Sequence, residues 1–225
     1  MQIFQYTNKG CRENNQDFVI HKVLPADSSI FIVADGMGGY TAGDIAAATV
    51  SNAIIEFAEM NYAQMSPTEL IKEAVKYGND CLMLKRLSIN AKKMGCVIVV
   101  LLITSSDAYL TWLGDSRLYI FRDGKEVYHT EDHSVINDLA KINNLSASDI
   151  RKYSSIVTKA IMGDESLCAV KVCHIEIEQE DQFLLCTDGL HREVDIDRAI
   201  NFTQADLDKL SEQMSDNYSL IRITI

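Results

Sequence analysis

Ile30-Phe31-Ile32-Val33-Ala34-Asp35-Gly36-Met37-Gly38-Gly39 is the stretch around which the rest of the chain is organised. Four apolar, largely β-branched residues in a row read as a strand buried on both faces, and the run ends in one carboxylate with three glycines close behind it. A charge at the end of a core strand is costly unless it reaches water or binds a cation. Glycine backbone beside it lets an ion or a phosphate come close to the main chain. Asp-Gly is also among the commonest turn pairs, so taken alone the stretch favours a strand running into a solvated turn. The recurrence of the same pattern at Phe183-Leu184-Leu185-Cys186-Thr187-Asp188-Gly189 shifts the reading toward a site.

The 225 residues suffice for one large core or for two small domains, and 47% hydrophobic with 24% charged content is that of a globular rather than a disordered chain. The formal net charge of -11 disfavours nucleic acid and anionic membrane as partners and suits clustered metal ligands. The apolar run from Val97 to Ile103 is too short to span a bilayer, and no basic segment followed by an apolar one opens the chain. The expected location is cytoplasmic. The six cysteines form no Cys-x-x-Cys pair, so they read as reduced, small core hydrophobes.

Working outward, Ile3 to Asn8 and Phe18 to Val23 read as strands flanking the polar loop Arg12-Glu13-Asn14-Asn15-Gln16-Asp17. That loop is either solvated or holds an anion at Arg12 and a cation at Asp17. Thr41 and Asp44 have capping-box spacing before a helix over Ile45 to Tyr62, and Ser66-Pro67-Thr68-Glu69 starts a second helix that runs to about Ile89. Cys96 to Thr104, Ala108 to Leu113, Leu118 to Arg122 and Glu126 to His129 read as strands in antiparallel hairpins. A short helix follows Ser134, Asn143 to Ser155 is polar and irregular, and Val170 to Ile177 with Gln182 to Thr187 is expected as a further hairpin closed by Asp188-Gly189. Two short helical pieces and a last strand, Leu220 to Ile225, complete an α+β chain read as one domain over residues 1–225.

Asp17, Asp35, Asp115, Asp188 and Asp216 all stand at ends of expected strands. Several carboxylates on one rim cannot all stay ionised without cations, and all-oxygen ligation favours Mg²⁺ or Mn²⁺ over zinc. Two such ions sharing an Asp would polarise a phosphoryl oxygen and lower the pKa of a bound water toward about 7. That chemistry hydrolyses phosphate esters. Competing motifs fail: the glycine loop lacks the dinucleotide fingerprint, no Gly-Lys-Ser/Thr follows it, and Gly114-Asp115-Ser116-Arg117-Leu118 lacks the second glycine of a nucleophile elbow. No two of the five histidines are paired on an expected helix, so a zinc site is not expected.

Arg12 with Asn15-Gln16-Asp17, Val33 to Gly39 with Gly43, Gly114-Asp115-Ser116-Arg117, Asp132-His133-Ser134, Cys186-Thr187-Asp188-Gly189-Leu190 and Asp216-Asn217 resemble, in this order, the motifs of the PPM family, the metal-dependent type 2C serine/threonine phosphatases. The resemblance spans almost the whole chain. It implies a four-layer αββα sandwich of two antiparallel sheets flanked by helices, with a binuclear Mn²⁺/Mg²⁺ centre at one end. By that resemblance Asp35 is the bridging ligand, Asp188 and Asp216 hold the first ion, and Asp17 with the Gly36 carbonyl holds the second. Asp115 is similar to the position that supports a weaker third ion in bacterial members, and Arg12 to the clamp on the substrate phosphate. The implied partners are proteins phosphorylated on serine or threonine and an opposing Ser/Thr kinase.

Three departures from the family pattern stand out. Val97 replaces a usual threonine, which is read as a packing change. Met37 stands where some eukaryotic members have a histidine proposed as general acid, so the resemblance assigns the leaving-group proton to metal-bound water. The region from His191 to Ser215 is short, which trims peripheral helices. The alternative to an active phosphatase is a catalytically silent PPM-fold binding module, and the presence of every expected ligand speaks against it.

Overall fold

The two apolar strands at the centre of the sequence have no polar face, and the structure buries both faces of each. In the computed structural model, which describes residues 1–37, 42–142, 145–165 and 167–225, β1 (Gln2–Asn8), β10 (Tyr218–Thr224), β9 (Gln182–Cys186), β6 (Arg117–Arg122) and β7 (Lys125–His129) form one antiparallel sheet in that order. The second antiparallel sheet runs β2 (Asp17–Leu24), β3 (Ser28–Gly36), β4 (Cys96–Ile103), β5 (Asp107–Leu113), β8 (Cys173–Glu176).

Side chains alternate across a strand, so β3 and β4 each serve two cores. Ile30, Ile32, Ile98, Val100 and Leu102 meet Ala47, Val50 and Ile54 of α1 (Gly43–Asn61) and Leu70 and Ile71 of α2 (Pro67–Ser88). The intervening Phe31, Val33, Val99 and Leu101 meet Leu118, Ile120, Phe183, Leu185, Ile221 and Ile223 of the other sheet. Burying each such side chain contributes about 1.5–3 kcal/mol, which fixes the register of both sheets. The outer face of the first sheet is covered by α5 (Asp188–Glu193), α6 (Ile196–Ala199) and α7 (Gln204–Leu210), whose Leu190, Ile196 and Leu207 pack on Tyr119, Leu184 and Leu220. The result is helix, sheet, sheet, helix, the expected four-layer sandwich. Two shorter helices, α3 (Val135–Ala140) and α4 (Ala147–Tyr153), stand apart from these layers in the chain between β7 and β8.

Local signals explain the element ends. Ser66 caps α2 in a full capping box with Glu69, Pro67 at its first turn. Thr41 lies outside the described residues, together with Gly38 and Gly39; α1 starts instead from Ala42 in left-handed backbone, with no side-chain cap. Among the described residues no helix is long and apolar enough to cross a membrane. The cysteines are all free, Cys96 and Cys186 being buried in β4 and β9.

Four connections differ from the sequence expectation. Gly114 to Ser116 does not close a hairpin between β5 and β6 but carries the chain from one sheet to the other. β8 and β9 likewise separate: β9, fully apolar at Phe183 to Cys186, takes a central place between β10 and β6, whereas the half-exposed β8 takes the edge beside β5. The stretch Asn143 to Ser155 contains α4 rather than being irregular throughout. Asp188 opens α5 instead of ending a turn. Connection length alone does not say whether two strands share a sheet; burial of both faces decides it.

Candidate metal centre

Strand register brings the acids together. Asp17, first residue of β2, is directly opposite Asp35, the last residue but one of β3. In the other sheet Arg117 pairs with Cys186 and Cys186 with Leu220, so Asp115, Asp188 and Asp216 lie just beyond one end of three adjacent strands. The crossing at Gly114 to Ser116 and the Arg12 loop between β1 and β2 join the sheets at this end. A cleft of about 820 Å³ opens there, lined among others by Arg12, Asp35, Met37, Asp115, Asp188 and Asp216. Gly36 lies on the same wall. Asp17 is not on the wall; it is buried beside Asp35.

Backbone packs closely at this end. A Cβ on Gly36 would stand 2.2 Å from the Gly43 carbonyl oxygen, so the end of β3 and the start of α1 touch only because residue 36 is glycine. Gly114 has φ +118°, and a Cβ there would lie 2.2 Å from Cβ of Val97. Val97 also faces the cleft. Arg117 holds Asp132 with two hydrogen bonds, Nε to Oδ1 at 2.7 Å and Nη2 to Oδ2 at 2.8 Å, pinning the residue next but one to Asp115.

Three side chains that residue-type reasoning passed over position the acids. Thr187 donates its hydroxyl to Asp17 Oδ2 at 2.9 Å and accepts from the Ser219 amide, linking the two sheets through the acid. Asn217 accepts from the Gln16 amide at 2.8 Å and donates to the Lys9 and Asn14 carbonyls, stitching the Arg12 loop onto the Asp216 turn. Arg192 donates to Asp115 Oδ2 at 2.7 Å and to Asp188 Oδ2 at 2.9 Å. Thr187 and Asn217 each adjoin a candidate acid, which was their available signal. Arg192 is four residues past Asp188, a helical neighbour only once α5 is recognised as a helix.

The electrostatics are those of an anionic site under strain. Burial, then the charges of Asp17, Asp188 and Asp115, hold the Asp35 carboxyl well above the usual carboxylate range. Burial pushes Asp17 up to about 7, Asp188 and Asp216 adding to the effect. Asp115 rises to about 6, mainly through burial and the Asp188 charge, with Arg192 opposing. Asp17 Oδ1 is buried and has no hydrogen-bond partner among the described residues. Arg12, more than half exposed at the rim, donates Nη2 to Asp216 Oδ2 at 2.8 Å.

These donors fit hard divalent cations. Every side-chain donor is a carboxylate oxygen, one of them is orphaned among the described residues, and burial with neighbouring charge raises the pKa values of Asp17, Asp35 and Asp115, so a cation would take the place of protons. Among the described residues no three acidic, histidine or cysteine side chains close into a ready-made cage. Mg²⁺-like ions do not need one, since they keep several waters and bind through one or two carboxylates.

Known proteins match this arrangement over nearly the full chain. The family profile described as protein phosphatase 2C matches residues 9–219. A protein phosphatase PhpP of Streptococcus pneumoniae is 30% identical over 203 residues, covering 84% of this chain and 79% of its own length. A serine/threonine phosphatase of Listeria welshimeri is 30% identical over 167 residues, 72% of this chain and 66% of its own. Among solved structures, the serine/threonine phosphatase of S. agalactiae superposes with a TM-score of 0.80 at 25% identity, over 98% of each chain. The catalytic domain of the phosphatase PstP, solved with two manganese ions, superposes with a TM-score of 0.81 at 22% identity, over 100% of this chain and 98% of that one, a likeness of fold. On the match from residue 9 to residue 219, the chain belongs to the protein phosphatase 2C family.

Proposed function

We propose that this chain, acting as one catalytic unit over residues 1–225, hydrolyses phosphoserine and phosphothreonine in proteins at a pair of divalent cations, Mn²⁺ or Mg²⁺. Family membership makes it a protein serine/threonine phosphatase. The observation that carries the metal reading is the pairing of Asp35 with Asp17 across one ladder, with Asp17 Oδ1 orphaned among the described residues and the charge of Asp188 acting on Asp35. Asp35 would be shared by both ions, with Asp188 and Asp216 on one side and Asp17 and the Gly36 carbonyl on the other. Bound there, the ions supply a polarised phosphoryl group and an activated water at neutral pH.

The chain's own residues do the rest. Arg12 leaves Asp216 or shares it while its guanidinium takes two oxygens of the substrate phosphate, for which its exposure at the rim leaves room. Met37 on the cleft wall offers no proton, so it does not serve as general acid. Thr187 keeps Asp17 turned toward Asp35, and Asn217 keeps the Arg12 loop over the cleft. The expected partners are phosphorylated proteins and the kinase that modifies them.

The test is phosphate release from a phosphothreonine peptide by metal-stripped protein, with and without Mn²⁺ or Mg²⁺. Release that appears with the ions and vanishes in EDTA is expected. Binding of the peptide without any release would instead indicate a silent module.

A further inference from the structure

Asp115 is the acid whose surroundings set it apart. It is 5% exposed, and a buried carboxylate needs a cation. The cation beside it is already in the chain. Nη2 of Arg192 meets Asp115 Oδ2 at 2.7 Å while Nη1 meets Asp188 Oδ2 at 2.9 Å, so one guanidinium spans both carboxylates. The same Nη2 donates to the Ser154 carbonyl at 3.3 Å, next to Ser155, which lines the cleft. His191, the preceding residue of α5, donates Nε2 to the Asp115 backbone carbonyl at 2.8 Å. Two consecutive helical residues therefore grip the turn at Asp115 from one side.

We propose that the Arg192 guanidinium stands in place of a third divalent ion between Asp115 and Asp188, so that this chain works with two bound ions and a built-in cation. The inference rests on the reading of the cleft as a divalent-cation centre. Arg192 holds one oxygen of each acid, Oδ2 in both, and a guanidinium hydrogen bond and an ion at about 2.0–2.1 Å cannot occupy one lone-pair direction together. Asp188 Oδ1 is not engaged by Arg192 and stays available to the ion it shares with Asp35. Arginine does not lose its proton, so this charge is present at any pH and any metal concentration. Tied to the Ser154 carbonyl as well, it also anchors the segment after α4 against the metal side of the cleft, which a freely exchanging ion would not do.

The count of bound ions decides the matter. Calorimetric Mn²⁺ titration of the wild-type chain, Arg192→Ala and Arg192→Gln is followed by Mn²⁺ activation of phosphopeptide hydrolysis, with circular dichroism as the check on folding. The wild type should take up two ions and gain no further rate once they are bound. Both variants should take up an additional, weaker ion and need about tenfold or more higher Mn²⁺ for full rate, since an ion between Asp115 and Asp188 would have to share Asp188 with a tighter one and would otherwise keep water ligands. Arg192→Gln keeps a hydrogen-bond donor without the charge, so it serves if the alanine variant does not fold. Three ions in the wild type, or two in every folded variant, would overturn the proposal and reduce Arg192 to a packing residue. A wild type that binds no Mn²⁺ overturns the reading of the whole cleft, an outcome distinct from either.

Discussion

Asp35 and Asp17 are opposite neighbours on an antiparallel ladder, where like charges destabilise, and both are drawn into a low-dielectric rim. A protein keeps such a pair only if something positive joins them. Replacing Asp35 by Asn removes one charge and one shared ligand, so Mn²⁺ affinity and phosphatase rate should fall together, by more than the roughly 10–100-fold that loss of an outer partner costs. The metal-free variant should melt no lower than the metal-free wild type, because repulsion has been relieved. Wild-type turnover with wild-type metal content would sink the assignment. Arg12 should behave differently. A charge-assisted hydrogen bond contributes about 1.5–3 kcal/mol, so Arg12→Ala should raise KM for a phosphopeptide about 10–100-fold while leaving the number of bound ions unchanged. Unaltered kinetics would return Arg12 to the role of a surface partner for Asp216.

At the scale of the element, the crossing between β5 and β6 does the most with the fewest residues. Gly114 takes φ +118° so that Asp115 can turn from one sheet toward the other with Val97 directly beneath it. Gly114→Ala should therefore cost about 1–3 kcal/mol through backbone strain and contact with Val97, lowering the melting temperature by several degrees, and should displace Asp115 from Arg192. An unchanged melting curve would mean that the turn is slack. The same crossing shows where the sequence was legible. Strands and their acids stood out because β-branched runs end abruptly in Asp-Gly, and the α2 start stood out through Ser66, Pro67 and Glu69. The assignment of strands to sheets did not, since a three-residue connection looks like a hairpin whether or not the chain changes sheet. Nor did Arg192: a short helix opening directly from Asp188-Gly189 carries no apolar periodicity long enough to read, and its i,i+4 partner is invisible until the helix is known.

The whole molecule carries a formal net charge of -11, and part of that repulsion is concentrated where the two sheets meet, so metal and pH must act on stability together. Asp17 and Asp115, at about 7 and about 6, titrate far above the 3.8 of a free carboxyl, and Asp35 is raised as well. A carboxyl raised in the fold contributes stability that is complete below its unfolded value and is lost as pH climbs through its folded value. His133 and His191 run the other way: burial lowers both from 6.5 to about 4, so their contribution is complete above 6.5 and is lost as pH falls. Below pH 6.5 the two sets oppose each other; above it the histidines are neutral folded or unfolded and only the carboxylates change. Metal-stripped protein should therefore melt at lower temperature at pH 8 than at pH 6.5. Mn²⁺ replaces the lost protons and competes with fewer of them at pH 8, so the rise in melting temperature on adding it should be larger there. At about 100 times its dissociation constant an ion contributes about 2.7 kcal/mol, or roughly 5–10 °C for a chain of this size. Thermal scans at pH 6.5 and 8, with and without Mn²⁺, measure both effects. A metal-free melting temperature that climbs between pH 6.5 and 8, or an equal gain from Mn²⁺ at both, would show that the clustered acids are not what governs the stability of this end of the sandwich.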